Sequence, residues 1–451
     1  MTDRLALTAA AALAALLLVA PACQTAKAPS EPKREAAHPF PTPKQLDALG
    51  DAAPETLARM EIDDVERWTL SGPFPERVEV VPHAPGGPIE ALLDAAVARR
   101  AGLAVASEAM HCMARELALF VAQRGKMAPP ALVEFSAGRC GALVSVPRTV
   151  YVHGAAPAGV PEQELVGVWR AQLESMLEPL LAGGPVDAGL AFARVDGRAA
   201  AVAVASARRV QVTPFSPVAA DGVVSFAGEA LGPVEEVQAG ANQGELGHAK
   251  CTPDPAVQAP RFSFRCPLAR GDESAAIDVM VREQERLLSQ SAFSVLARAP
   301  GADANEWRRP EHAPSRVAAD AADFADAVQA ALGAVRKREG LRPLVLSRPQ
   351  SEVADELAPH VLAPALGAGS PAAADLAALG LVAGWGVGGA VRGAGLATGL
   401  VIGALDAGRF VDAALERPSG RASLLDPDAR VLAVGTLTSK SPPALAGVAV
   451  T

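Results

Sequence analysis

The stretch 416–435 constrains the fold of this chain more than any other part of its sequence. An apolar segment, Ala404 to Leu415, has the character of a helix and runs towards Pro418, and proline cannot continue a helix. The Ser-Gly pair after it favours a tight turn, a short helical piece follows, and Asp-Pro-Asp at 426–428 ends that piece. The apolar run 431–435 is typical of a strand. The sequence therefore predicts a helix, a turn, a short helix and a strand in one compact unit.

This stretch resembles the signature SPGHR-x-x-LL-x-P…VGVG of the CAP superfamily, which comprises cysteine-rich secretory proteins, antigen five and pathogenesis-related one and is also called SCP-like. The residues that carry the resemblance are Pro418, Ser419, Gly420, Arg421, Leu424 and Leu425. The likeness extends back to about Ala318. A helix from Ala318 to Arg338, the sequence Glu-Gly-Leu-Arg-Pro-Leu and a helix from Val353 to Leu362 follow the order in which bacterial members begin. The resemblance implies an α-β-α sandwich with a small antiparallel sheet between helical layers.

Many members of this family hold a divalent metal in a cleft with two His and two Glu, but the matching positions here differ. Gly420 stands where the signature has His, and Leu400 stands where a Glu is expected. The segment 363–373 contains no His, while His360 aligns with a structural position. Two further carboxylates lie nearby in sequence, those of Asp323 and Glu352. The resemblance therefore implies a family scaffold that has lost its metal cleft, and we predict no metal, no cofactor and no catalytic residue there.

The N-terminus has the pattern of a secretory signal. Arg4 precedes an apolar run from Leu5 to Ala20, and small residues and a break lead to Cys23. This resembles a bacterial lipoprotein signal, which implies removal of residues 1–22, lipidation of Cys23 and, from the Gln that follows, sorting to the outer membrane. The alternative is ordinary cleavage nearby with Cys23 unmodified. Residues 23–54 are rich in Pro, Ala, Lys and Glu and are predicted to form a disordered tether.

The remaining four cysteines fall into two close pairs. Local pairing in an oxidising compartment gives Cys112–Cys140 and Cys251–Cys266, one of three connectivities that four cysteines allow. A zinc site is the competing interpretation, but neither pair has the C-x-x-C spacing typical of structural zinc. We therefore predict two local disulfides in an exported protein.

Residues 55–208 are predicted to form a helical α/β domain that ends in a hairpin. Helices are expected over Ile89–Ala104, Ser107–Arg124 and Glu162–Leu181, and Asp196-Gly197 is a strong hairpin turn. The predicted inward residues of the last two helices are Met110, Met113, Leu117 and Phe120 or Val121, then Leu165, Val168, Trp169, Leu173 and Leu177. A closing hairpin is also how a CAP domain ends, so this domain is either a diverged copy of the C-terminal one or an unrelated α/β domain.

The central part of the chain has a different sequence pattern. Between residues 209 and 299, short runs with β character alternate with Pro and Gly, which is typical of an antiparallel β-sandwich, here Ig-like. A polar linker over 300–316 then leads to the CAP-like domain, 317–451. The predicted fold class is α+β and multidomain.

Two other patterns compete within the C-terminal third. Gly384–Gly389 fits G-x-G-x-x-G, but no βαβ pattern surrounds it, so a dinucleotide site is disfavoured. Residues 379–405 are long and apolar enough to suggest a transmembrane helix, yet Arg392 stands at the centre and glycines interrupt the run. A glycine-rich loop with a buried segment is the favoured interpretation.

Charge and context lead to a functional prediction. The formal net charge is −9 and no basic block stands out, which argues against nucleic acid as a partner. We predict an exported lipoprotein, held at a membrane by its lipid anchor, that binds a protein, an envelope polymer or a lipid without catalysing a reaction. The alternative is an envelope hydrolase with catalytic residues in the first domain, namely His111, Glu116 or His153. No H-E-x-x-H pattern accompanies His111, so a solvated or disulfide-adjacent helix face is the favoured interpretation there.

Overall fold

The computed structural model describes most of the chain after residue 61. It covers 62–450 except for 101, 145–146, 158, 183, 244–246, 269–273, 284–289, 310, 312, 363–394, 403–404 and 441–442. The predictions for the signal segment, Cys23, the tether and the G-x-G-x-x-G motif lie outside those residues. Among the described residues, no helix combines the length and apolarity needed to cross a membrane.

The first domain, in the part that the structure describes, is a unit of helices packed on a mixed sheet. Its elements are β1 (Arg67–Thr69), α1 (Glu90–Ala98), β2 (Ala104–Ala106), α2 (Glu108–Arg124), α3 (Pro130–Arg139), β3 (Arg148–Ala155), α4 (Glu162–Leu180), β4 (Val186–Val195) and β5 (Arg198–Ala207). The sheet order is β2-β4-β5-β3, with β2 parallel to β4 and the other pairs antiparallel. The predicted hairpin turn is present, since Asp196 and Gly197 take φ angles of 47° and 76° between β4 and β5.

Two details of the first domain differ from prediction. The helix expected over Ile89–Ala104 ends at Ala98, because the chain turns through Gly102 at φ 83° and enters β2. Val168 was expected to face inward on α4 but is 75% exposed. The four-residue steps through Leu165, Trp169 and Leu173 define the buried face, and Val166 rather than Val168 flanks it.

Helix α2 forms as its sequence predicts. The Ser107 side chain accepts a hydrogen bond from the backbone N–H of Met110 and so caps the helix N-terminus, and Gly125 ends the helix in the left-handed region. The predicted stripe from Met110 through Val121 is buried against the sheet. One face of helix α2 is therefore packed against strands β4 and β5.

Both predicted disulfides are present. Cys112 on α2 is bonded to Cys140 at the C-terminal end of α3, and Cys251 is bonded to Cys266. Such bridges form and persist in oxidising surroundings. They indicate an extracellular or periplasmic environment for the protein.

The central domain consists of two antiparallel sheets. Its strands are β6 (Val210–Val212), β7 (Val223–Ala230), β8 (Val234–Gln243), β9 (Gly247–Lys250), β10 (Thr252–Pro253), β11 (Arg261–Pro267), β12 (Ser274–Glu283) and β13 (Gln290–Arg298). The sheet orders are β10-β11-β7-β6 and β13-β12-β8-β9. Phe226 of one sheet meets Phe293 of the other edge to face, with ring centroids 6.1 Å apart, so the two sheets share an aromatic core.

The segment predicted as a linker contains a strand. Strand β14 (Glu306–Arg308) pairs antiparallel with β1 of the first domain and places Trp307 opposite Trp68. Trp307 is buried in the core of the first domain, a contact that the polar composition of residues 300–316 did not reveal. This part of the segment therefore belongs structurally to the first domain.

The last domain is a second α/β unit. Its elements are α5 (Ala321–Arg338), β15 (Val345–Leu346), α6 (Arg348–Leu362), β16 (Leu396–Ile402), α7 (Ala407–Leu415), α8 (Pro418–Leu424), β17 (Val431–Lys440) and β18 (Pro443–Val450). The sheet order is β15-β17-β18-β16. Helix α7 begins later than predicted, because the Asp406 side chain accepts from the Arg409 N–H and caps the helix there.

The two α/β domains have the same sheet topology. In each sheet, the strands numbered by chain position lie in the order 1-3-4-2, with strands 1 and 3 parallel and the other pairs antiparallel. Each third strand also carries a glycine where the second helix crosses. A Cβ at Gly189 would lie 2.2 Å from the Met110 carbonyl, and one at Gly435 would lie 2.2 Å from the Ala354 oxygen. The likeness therefore includes the packing of helix on sheet.

Candidate metal centre

Four ionisable side chains converge beside the N-terminal ends of α1 and α2. Glu90 and Glu108 are the first residues of these helices, and His111 lies one turn into α2. His83 lies in the loop before α1. The backbone N–H of His83 donates to the Ala106 carbonyl, and the Glu108 N–H donates to the Val81 carbonyl. These bonds hold the loop against the end of β2 and the start of α2.

The imidazoles of His83 and His111 and the carboxylate of Glu90 form the centre of this cluster. The two rings stack with centroids 3.8 Å apart and planes inclined by 14°. His83 Nε2 lies 3.4 Å from Glu90 Oε2, and His111 Nε2 lies 3.7 Å from Glu90 Oε1. One ligand atom from each of the three residues lies within 4.8 Å of the others. Within the described ranges, no other trio of His, Cys, Asp or Glu side chains meets that condition.

The second nitrogen of each ring faces an acceptor. His111 Nδ1 lies 3.1 Å from the carbonyl oxygen of Leu190 on β4. His83 Nδ1 lies 3.1 Å from Glu108 Oε1, a contact with the distance of an ion pair but without the alignment of a hydrogen bond. At His111, an acceptor at Nδ1 favours the tautomer with its proton there, which leaves the Nε2 lone pair free. His83 makes its hydrogen-bond contact through Nε2, with Glu90 Oε2 at 3.4 Å. The Nε2 atoms of both rings are thus the nitrogens nearest to Glu90.

Glu90 is itself held in place. Its Oε2 accepts a hydrogen bond of 2.6 Å from the Gly86 backbone N–H. The first turn of a helix carries the positive end of the helix dipole, which favours an ionised carboxylate at that position. Glu90 therefore presents one carboxylate oxygen to each imidazole.

The cluster is partly buried. The side chains of His83, Glu90 and His111 are 14%, 16% and 16% exposed, whereas that of Glu108 is 55% exposed. Burial lowers the pKa of His111, an effect that Glu90 opposes and His83 reinforces. His111 is accordingly neutral at neutral pH, and a neutral imidazole is the form that binds metals. The site thus combines a neutral His111 with access from solvent.

The structure separates the residues that the sequence suggested for catalysis. Of His111, Glu116 and His153, His111 alone belongs to this cluster. Glu116 is buried and accepts from the Ser71 N–H, the Ser71 hydroxyl and the Gly72 N–H at 2.8–3.0 Å. The ring of His153 lies 5.7 Å from that of Tyr151. Glu116 therefore has a structural role, while His83 and Glu90 were missed because no fixed spacing connects them to His111.

The family-like stretch forms a tight structural corner. Here Gly420 has no room for a side chain, because a Cβ would lie 1.8 Å from the Ala414 carbonyl oxygen. Arg421 is buried and its Nε donates to the Leu415 carbonyl, and Leu424 is fully buried. Leu425 packs against the same core, and Pro418 and Ser419 begin α8. A histidine at position 420 would not fit in this arrangement.

Comparison with known protein families finds none that matches the chain, and comparison with curated proteins finds no match either.

Proposed function

We propose that the first domain binds a divalent transition-metal ion of the zinc class through His83 Nε2, His111 Nε2 and a carboxylate oxygen of Glu90. The supporting observation is that both imidazoles face an acceptor with Nδ1 and turn Nε2 towards the same carboxylate. Two atoms bound to one tetrahedral zinc ion at ~2.0–2.1 Å lie about 3.3 Å apart. The distances of 3.4 and 3.7 Å between these nitrogens and the carboxylate are close to that value.

The donor set favours particular ions. Two imidazole nitrogens and one carboxylate suit zinc, copper, nickel or cobalt, whereas magnesium and calcium prefer sites made of oxygen ligands. The carboxylate of Glu108 beside His83 and the Leu190 carbonyl beside His111 act as outer partners. Such partners orient the imidazoles and raise their basicity.

A zinc titration in competition with a chromogenic chelator tests this proposal. The full chain is expected to bind one ion, and His111→Gln and His83→Gln are each expected to weaken binding by more than the ~10–100-fold that loss of an outer partner causes. His153→Gln is the matched control, because this histidine lies in the same domain outside the cluster. Equal affinity of the unchanged chain and His111→Gln would show that the four residues form an ion-paired cluster without a metal.

A second candidate function is metal-assisted hydrolysis, a revised form of the hydrolase alternative. Three protein ligands leave one tetrahedral position for water, which is the pattern of catalytic rather than structural zinc sites. The partial exposure of the cluster is compatible with substrate access. Hydrolysis of a chromogenic ester or phosphoester that depends on added zinc and is lost in His111→Gln would support it. Zinc binding without such activity would leave a binding role.

We also infer the cellular setting of the protein. It would be a lipoprotein anchored through Cys23 at the outer membrane, with a role in binding a protein, an envelope polymer or a lipid. The two disulfides support an exported chain. Cys23→Ala is expected to move the protein from the membrane fraction to the released fraction. An unchanged distribution would contradict the lipid anchor.

The domain assignment is likewise a proposal. We infer that the last domain is CAP-like, that the first domain is a diverged copy of it, and that an Ig-like sandwich lies between them. The common 1-3-4-2 strand order and the matching glycines at 189 and 435 support duplication. When the crossing points are matched, Gly189 with Gly435 and Met110 with Ala354, the positions of Glu108 and His111 correspond to Glu352 and Asp355. The second copy thus has no imidazole at the position of His111, and the metal centre would belong to the first copy.

A further inference from the structure

The loop between two ligands of the candidate metal centre is short and contains two prolines. His83 and Glu90 are separated by Ala-Pro-Gly-Gly-Pro-Ile, and each proline fixes one backbone angle between them. The His83 end of the loop is held by the hydrogen bond from its N–H to the Ala106 carbonyl. Glu90 is the first residue of α1, so its position depends on how the first turn of that helix is held.

Helix α1 has no cap from its own sequence. Its N-cap residue is Ile89, which makes no side-chain capping bond because isoleucine has no polar side-chain atom. In a capping box, a glutamate at the third helical position would bind the Ile89 N–H, but Leu92 stands there. Glu162, 73 residues away, accepts from this N–H instead, with its Oε1 at 3.1 Å. The start of α1 is thus capped by a side chain from α4.

Gly87 makes room for this carboxylate. The three atoms nearest to a Cβ at position 87 all belong to the end of the Glu162 side chain, and Oε1 would be 2.9 Å away. Gly87 does not have a left-handed φ, so its backbone conformation does not require glycine. A side chain at this position would displace the Glu162 carboxylate. The glycine therefore permits the bond between Glu162 and Ile89.

The helix that carries Glu162 is firmly packed against α1. Glu162 is the first residue of α4, and Leu165 and Trp169 of that helix share a buried core with Ile89 and Leu93. Ile89 itself is fully buried. The distance between the starts of the two helices is therefore set by the core, and the carboxylate is carried on a regular element rather than on a loop.

We propose that Glu162 is a positioning residue of the metal centre, which holds the first turn of α1 so that Glu90 presents its carboxylate to the two imidazoles. This inference rests on the proposed metal site. Glu162 lies outside the trio whose ligand atoms converge, so it acts through Glu90 and does not bind the ion. Without it, Glu90 keeps its bond to the Gly86 N–H, which belongs to the same loop and gives no support from outside that loop.

A zinc titration of the full chain in competition with a chromogenic chelator tests the positioning role. Glu162→Ala is expected to weaken zinc binding by the ~10–100-fold that is typical of an outer partner. Glu162→Gln keeps an oxygen that can accept from the Ile89 N–H and is expected to retain most of the affinity. Glu164→Ala is the matched control, because it removes an exposed glutamate from the same turn of α4.

Gly87→Ala tests the same contact without removing Glu162. Its methyl group would push the carboxylate away from the Ile89 N–H, so zinc binding is expected to weaken as in Glu162→Ala. In the double variant the methyl group has no carboxylate to displace. Its affinity is therefore expected to equal that of Glu162→Ala alone, whereas losses that add would show that the two positions act independently and would contradict the proposal.

The cobalt form of the protein separates positioning from support of the fold. Bound cobalt has visible absorption bands that depend on its coordination geometry, and Glu162→Ala is expected to change these bands at saturation. An unchanged spectrum with a lower melting temperature would show a purely structural residue and overturn the proposal, as would equal zinc affinities of Glu162→Ala and Glu164→Ala. If the unchanged chain binds no zinc, the metal centre itself is rejected together with this role. If Glu162→Ala does not fold by circular dichroism, Gly87→Ala decides the question in its place.

Discussion

Gly420 lies directly against the carbonyl group of Ala414, at the corner between α7 and α8. A Cβ at position 420 would come within 1.8 Å of that oxygen, a separation that no pair of unbonded atoms tolerates. The corner therefore requires glycine for space. This is the position at which the signature that the sequence resembles has histidine, and the corner leaves no room for that side chain.

Gly420→Ala is expected to destabilise the protein by at least the ~1–3 kcal/mol that overpacking costs. Gly333→Ala on α5 is the matched control, because nothing lies within 4 Å of a Cβ there and alanine favours helices by ~1 kcal/mol. Thermal unfolding of both variants measures the difference. A Gly420→Ala protein as stable as the control would show that the corner can relax.

Arg336→Met is expected to destabilise the last domain by about 3 kcal/mol or more, since each buried polar group left unpaired costs ~1–3 kcal/mol. Arg336 is fully buried and donates to the carbonyls of Arg342, Leu424 and Asp426 at 2.6–3.1 Å. Lys337→Met on the exposed face is expected to change stability by less than ~0.5 kcal/mol. Urea unfolding compares the two, and equal midpoints would argue against a structural role for the guanidinium.

Removal of either disulfide is expected to destabilise the chain by a similar amount. The bridges span 28 and 15 residues, for which loop-closure entropy gives about 3.6 and about 3.0 kcal/mol. Double alanine variants of each pair, compared by guanidinium unfolding, measure these values. With a reductant present, the unchanged protein should be no more stable towards guanidinium than either variant. If it is still more stable, the variants have also lost packing at the substituted positions.

We expect the metal-free protein to lose folding stability in mild acid because of His111. Burial lowers the pKa of His111, so below about pH 6.5 the unfolded chain binds a proton that the folded chain does not. The contribution is therefore fully present above that pH and declines as pH falls towards the lowered value. Unfolding experiments with a chelator between pH 7.5 and pH 5 should show a steeper decline for the unchanged protein than for His111→Asn. Parallel curves would contradict a neutral buried imidazole.

Local signals predicted the local structure well. The helix expected from Ser107, the turn at Asp196-Gly197 and the stripe beginning at Met110 each depend on neighbours within one or two turns of chain. Backbone chemistry and side-chain periodicity act over that range. The two cysteine pairs were predictable for the same reason, because each closes a short loop within one domain.

The candidate metal centre was not predictable in this way. His83 lies in a loop, Glu90 begins one helix, and His111 lies on another, and tertiary packing of α1, β2 and α2 brings them together. The orientation of His111 depends on the carbonyl of Leu190, which any residue type would supply. The pairing of Trp68 with Trp307 had no local signal either, since its two strands are short and far apart in sequence.

The pairing of β1 with β14 has a consequence for synthesis of the chain. Strand β1, the first of the described strands, stays without its partner until residue 308 has followed it out of the ribosome or the export channel, after the whole sandwich has emerged. Contacts between such distant segments form slowly, because a long loop must close first. The first domain would then finish folding only after the central domain. The order in which the domains fold would therefore differ from their order in the sequence.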